Sequence, residues 1–220
     1  MKIRIDISVK VNRVVKFLIL SDLLFLGSWS MVSPIFSIFV IGKVEGANLV
    51  IVGMVLGMYW LIKSILQIPV AEYLDNHDGE TDDFYALLLS LTLAAVAAFI
   101  LSLTGKLWQL FVAQFIYAVA MGLYVPSWSG LFSKHLDNKR FSFDWSLDST
   151  VVGLTSFVAA LTSGILADKF GFSIVFFLVG ILSLVSAIFL FLVPDLILPK
   201  ERKINEDGVI RDHSPAGIER

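Results

Sequence analysis

Six separate runs of mainly apolar residues set the terms for this chain: about 17–41, 49–71, 84–104, 107–132, 147–167 and 173–193. A helix that crosses hydrocarbon needs roughly 20 such residues, because each backbone N–H and C=O must be bonded within its own segment. The connections Gly42 to Asn48, Gly105-Lys106 and Asp168 to Phe172 leave no room for a further domain. The sequence therefore predicts an all-α membrane protein of six transmembrane helices. Residues 1–16 form an N-terminal arm, 17–198 the membrane domain and 199–220 a polar tail expected to be disordered. Composition agrees: 57% of the 220 residues are hydrophobic and 16% charged, where a soluble domain carries about a quarter charged residues. The first run is not followed by an A-x-A-like cleavage site, so it reads as a retained span rather than a signal peptide.

Several function classes are excluded at this level. The absence of cysteine removes disulfides, thiolate nucleophiles, Fe–S clusters and Cys-type zinc sites. A net charge of −2 gives no basic footprint for nucleic acid. His77, His135 and His213 all lie in polar segments, so a buried Ser–His pair has no base. Pro126-Ser127-Trp128-Ser129-Gly130 lacks the leading glycine of a nucleophile elbow and places Trp where the serine belongs. The expectation is neither an enzyme nor a metal or cofactor protein.

Basic residues give the orientation. Lys2, Arg4, Lys10, Arg13 and Lys16, then Lys134, Lys139 and Arg140, then Lys200, Arg202, Lys203, Arg211 and Arg220 lie on one side, against Lys43, Lys106 and Lys169 on the other. The positive-inside rule makes both termini cytoplasmic, in a multi-pass protein of the cell (inner) membrane. The loop Asp75 to Asp83 holds five acids and no base, which has little weight for topology. Registered on Gly79, it lacks the acids an EF-hand needs at Leu74 and Tyr85. Thr81, Asp82 and Asp83 read as the cap and charge complement of the third span. Ile3, Ile5, Ile7, Val9 and Val11 alternate with polar residues, a strand pattern with no sheet to join.

The spans differ in polarity. Spans 3 and 6 carry only scattered hydroxyls such as Ser90, Thr92, Ser102, Ser183 and Ser186, able to bond their own backbone, and read as lipid-facing. Span 1 carries Asp22, Ser30, Ser33 and Ser37 in one broad stripe, with Pro34 supplying a kink and Trp29 at the edge. Span 4 aligns Gln114, Tyr117, Tyr124 and Trp128, and Gln109 points elsewhere. Tyr124 and Trp128 approach the interface, where aromatic belts are ordinary, which leaves Gln114 and Tyr117 as the pair that argues for a cavity. Span 2 places Tyr59, Lys63 and Gln67 at steps of four.

Lys63 is the sharpest single residue, since an ammonium at mid-membrane is costly and is usually found facing a bundle interior or cavity. Three roles fit it: a site or gating residue, one half of a structural Asp22–Lys63 ion pair, or a snorkelling side chain. Asp22 and Asp148 each also fit a second role, complementing the start of a helix. Gly53 and Gly57 form G-x-x-x-G on span 2, and Gly153, Ala160 and Gly164 line one face of span 5. Such faces let backbones approach closely, either inside the six-helix unit or between subunits.

Two stretches carry a family resemblance. Gln67-Ile68-Pro69-Val70-Ala71-Glu72-Tyr73-Leu74-Asp75 resembles the signature between helices 2 and 3 of the major facilitator superfamily, with Asp75 on its aspartate. Gly164-Ile165-Leu166-Ala167-Asp168-Lys169-Phe170-Gly171-Phe172 resembles that family's passage from helix 5 into helix 6. With helix count and loop lengths, the likeness covers residues 16–199, the N-terminal six-helix half of the family. The chain departs from the pattern at Ala71, where the signature has glycine, and at Asn76, Gly79 and Glu80, where it is usually basic. Gln114 stands at the helix 4 arginine linked to proton coupling, and Ala159-Ala160 at the Gly-Pro motif of antiporters.

The resemblance implies transport of a small solute by alternating access, with substrate held between helices 1 and 4 of each half. It leaves Asp22 and Lys63 as the candidates for coupling. It also implies that helices 2 and 5, with their glycine faces, meet helices 5 and 2 of a second half. That half is either a second copy in a homodimer or a separate six-helix chain. The other reading is a membrane-embedded partner subunit without transport activity, its polar stripes being buried packing. Membrane lipids and a small-molecule substrate are the remaining partners expected.

Overall fold

The computed structural model describes residues 12–76, 80–136 and 140–191. These form seven helices: α1 (Arg13–Trp29), α2 (Phe36–Lys43), α3 (Leu49–Asp75), α4 (Thr81–Ser102), α5 (Leu107–Lys134), α6 (Phe141–Phe170) and α7 (Phe172–Phe191). Helices α3 to α7 are each long and apolar enough to cross a membrane, and the protein is multi-pass. The alternating segment Ile3 to Val11 and the tail 199–220 lie outside the described residues. So do positions 77–79 of the acidic loop.

The expected first span is divided. Pro34 lacks an N–H and crowds the preceding turn, so helix α1 stops at Trp29 and the chain passes through tight turns, Met31 N–H to Ser28 O at 3.0 Å and Val32 N–H to Trp29 O at 3.0 Å, before α2 begins. A break, rather than a kink in one continuous helix, is the outcome. Helix α1 also starts earlier than the apolar run, because the Asn12 side chain accepts from Val14 N–H at 3.1 Å and caps it. Residues 13–16 of the expected arm are therefore helical.

Packing runs α3 on α5, α5 on α4, α4 on α7, and α7 on α1, with α6 against α1 and α7. Helices α4 and α7 form the back of the unit and α3 and α6 its two flanks. Spans 3 and 6 are thus corrected: each keeps an outer apolar face, but Leu87, Leu91, Ala94, Ala98 and Leu101 of α4 and Val175, Phe176, Val179 and Leu190 of α7 are fully buried. A helix without polar groups suits a bundle centre as well as lipid, so composition alone does not separate the two. Their hydroxyls bond their own backbones at Ser90 (to Leu87 O, 2.7 Å) and Ser183 (to Val179 O, 2.8 Å). Ser186 instead reaches α1, 2.8 Å from Ser21 Oγ and 2.9 Å from Ser21 O.

The flanks are fixed by close contacts. A Cβ built on Gly122 of α5 would fall 2.9 Å from Leu66 Cβ of α3, so only glycine admits this approach. Gly171 ends α6 at φ +86°, a left-handed conformation that lets α7 begin at once. At the opposite end of α5, Gln109 Oε1 accepts from the N–H groups of Gly105 and Lys106 at 2.9 and 3.1 Å and caps the helix, which accounts for its divergence from the polar stripe.

A set of polar contacts ties the bundle end where α4 starts. Asp83 is buried and Lys134 Nζ donates to it at 2.6 Å, so Asp83 does more than complement the start of α4. Thr81 is the first helical residue and Glu80 takes the N-cap position, which corrects the expected cap. Asn12 Nδ2 donates to His135 O at 3.1 Å, bringing in the start of α1. His135 Nδ1 lies 3.0 Å from Leu131 O and must donate, because a carbonyl only accepts. Nε2 then faces Glu80 Oε2 at 3.4 Å.

Burial pushes the Glu80 carboxyl above its ordinary 4.5, Asp83 adds to this, and His135 and Lys134 oppose it. Between the ordinary value and the raised one the native state holds the proton more firmly than the unfolded chain, so stability rises as pH falls across that window. Glu80→Gln should abolish that slope, and at pH 8 it should melt no lower than the native protein. The difference is read as a shift in melting temperature between the two ends of that window. An unchanged slope in melting curves from pH 5 to 8 would remove Glu80 as its source.

Candidate functional site

The polar stripes converge where α1, α5 and α6 meet. Asp22 of α1 is 3% exposed and Tyr124 of α5 is 4% exposed, and the tyrosine hydroxyl donates to Asp22 Oδ1. The Asp148 carboxyl of α6, 7% exposed, lies beside Asp22, and its Oδ1 is buried without a partner among the described residues. Two carboxyl groups and one phenol thus share a dry junction of three helices. Neither aspartate serves as a helix-start charge. Asp22 is nine residues into α1 and Asp148 seven into α6, beyond the first turn in both cases.

Above this junction lies an aromatic stack. Trp29 of α1 lies on Tyr117 of α5 with centroids 3.6 Å apart and planes 12° apart, and Tyr59 of α3 lies on the other side at 5.2 Å and 13°. Trp29 is fixed from behind by Nε1, which donates to Ser183 Oγ at 3.2 Å. Lys63 follows one turn after Tyr59, with Nζ 5.8 Å from the Tyr59 centroid and 4.9 Å from that of Trp60. It has no carboxylate within ion-pair distance among the described residues. The structural Asp22–Lys63 pair is therefore not formed: Asp22 is engaged by Tyr124 and Asp148, and Lys63 by ring faces.

The other expected residues are distributed around this centre. Gln114 is buried on α5. Ser30 caps α1 and bonds Ser156 of α6 at 2.7 Å. Ser33 is exposed in the break between α1 and α2. Gln67 and Asp75 line an open groove of about 690 Å³ between α3 and α5, with Ala71, Glu72, Asn76 and Pro126. Asp168 is exposed near the end of α6 and Gly171 forms the turn after it.

Two residues exceed their expected part. Tyr124 and Trp128 belong to the buried interior: Tyr124 holds Asp22, and Trp128, 6% exposed, stacks on Phe132 at 4.5 Å. The signal was the seven-residue interval from Tyr117 to Tyr124, two helical turns along one face.

The small-residue faces point away from the unit. Gly53, Gly57, Gly153 and Gly164 are exposed, and a Cβ on any of them would meet nothing within 4 Å. Ala160 is likewise exposed on α6. Packing inside the six-helix unit does not account for these residues.

No curated protein matches the chain. Among solved structures it is similar to one described as the in meso crystal structure of the POT family transporter PepTSo, with a TM-score of 0.72 and 17% identity, over 87% of this chain and 40% of that one. That likeness is one of fold, and the chain spans less than half the length of that protein. The model of the Major Facilitator Superfamily matches residues 18–216, nearly the whole sequence. Helical order, the glycine-turned passage from α6 to α7 and this match lead to one conclusion: the chain belongs to the major facilitator superfamily.

Proposed function

We propose that the protein transports a small solute across the membrane by alternating access, as one of two six-helix units placed about the translocation path. In this reading α1 and α2 cross together as one broken span, both termini face the cytoplasm, and the chain lies in the cell (inner) membrane. The observation that carries it is the open glycine face on each flank. Helices α3 and α6 are long and apolar, yet Gly53, Gly57, Gly153 and Gly164 have nothing against them within the chain. A second unit set against α3 and α6 covers both faces and encloses Lys63, Gln67 and the aromatic stack. The buried Asp22–Asp148 pair, bonded by Tyr124, lies behind the path as the group able to carry a proton, in place of the arginine that Gln114 replaces.

A second copy related by a two-fold axis satisfies this geometry, since α3 of one unit meets α6 of the other. Cysteines introduced together at Gly57 and Ala160 should give an oxidised dimer in native membranes, and neither should do so alone, because a disulfide needs Cα atoms within about 7 Å. The chain has no cysteine of its own, which keeps the background clean. A crosslink to a species of another size supports a second six-helix chain. Monomer alone removes both forms of the paired arrangement and favours a subunit without transport activity.

A further inference from the structure

We infer that Lys63 is the anchoring point for an organic anion with an apolar, ring-bearing body, which is the class of solute the site accepts. The inference rests on the reading that α3 borders the path, and deepens it. Lys63 is fourteen residues from the start of α3 and twelve from its end, so about 21 and 18 Å of helix separate it from either end. At that depth a side-chain ammonium is costly unless an anion or a cavity meets it.

Among the described residues no such anion is supplied. Of the buried carboxyl groups, Asp22 and Asp148 lie together beside Tyr124, Asp83 is paired with Lys134, and Asp144 is engaged as well. The acids at the mouth of the neighbouring groove, Glu72 and Asp75, are nine and twelve residues further along α3, about 14 and 18 Å by helix rise. What surrounds the ammonium is aromatic: the Trp60 and Tyr59 faces at 4.9 and 5.8 Å. Ring faces hold a cation without neutralising it.

Each unit thus brings one uncompensated positive charge to this face, which selects an anion over a cation or a neutral solute. Trp60, 60% exposed, and the edge of Tyr59 offer apolar surface beside that charge. A carboxylate on Lys63 therefore carries the rest of its molecule against aromatic rings.

The test uses the full-length protein in nanodiscs, with four ring compounds of one size class: benzoate, phthalate, benzamide and benzylamine. Binding is read from native tryptophan fluorescence and from the shift in melting temperature. Benzoate and phthalate should each bind at least tenfold more tightly than benzamide and benzylamine. K63M should lose that preference, and K63R should keep it to within a few fold. Equal binding of benzoate and benzamide, no binding of benzoate, or an unchanged preference in K63M overturns the inference. Should K63M fail to fold, the order of the four probes on the native protein still decides. Proteoliposomes separate this from the transport reading: benzoate that binds through Lys63 but is not moved overturns transport and leaves the anion site standing.

Discussion

Gly122→Ala should lower the melting temperature in detergent by several degrees, and Gly122→Leu by more. The added Cβ would lie 2.9 Å from Leu66 Cβ, an atom fixed to the α3 backbone, so the side chain cannot swing aside. The two helices must separate by several tenths of an ångström, and overpacking of this kind costs about 1 to 3 kcal/mol. At this chain length each 1 kcal/mol is worth roughly 2 to 4 °C.

Helix α5 is the main support of α3, so the shift carries Tyr59 off Tyr117 and moves Lys63 with it. Shortening Leu66 to alanine leaves its Cβ in place and should not rescue the G122A variant. Gly42→Ala, in α2, is the control. Nothing lies within 4 Å of that position, and alanine favours helix over glycine, so stability should be kept or rise. Equal melting temperatures for G122A and the native protein would show that α3 and α5 do not approach as described.

The second large effect concerns the buried junction. Tyr124→Phe removes the hydroxyl that donates to Asp22 and leaves that carboxyl against Asp148 in a dry site. A buried acceptor left without its donor costs about 1 to 3 kcal/mol. A loss of about 2 kcal/mol is expected for Y124F. Asp22→Asn, which keeps an acceptor for Tyr124 and removes one of two adjacent acids, should cost less. Combined with Y124F it should recover part of the loss, the non-additivity expected of residues in one network. Purely additive costs in melting or denaturant curves would show that the two side chains do not act together.

Much of this was legible from residue order. The apolar runs and the passage at Gly171 follow from period, length and backbone preference, each a local property. Pro34, by contrast, predicts a kink and not the break that is found, and the glycine faces alone do not say whether they point inward or outward. The site was partly legible. Asp22, Tyr117, Lys63 and Gln114 stand out because a polar group in an apolar run needs a reason. Tyr124 was set aside because its position suits an aromatic belt, and only its partner on α1 shows otherwise. The Lys134–Asp83 pair, 51 positions apart in the chain, depends on how α4 and α5 lean together. The burial of α4 and α7 was illegible for a different reason: hydrocarbon and a helical core ask for the same residues.

The seam between Ser21, Trp29, Ser183 and Ser186 joins the earliest described helix to the latest. A ribosome delivers them in that order, with five helices between. Throughout synthesis the hydroxyl of Ser21 and the indole N–H of Trp29 wait in the bilayer for partners that have not yet emerged. The seam therefore closes only once α7 has been made, which places the α1–α7 contact late in assembly.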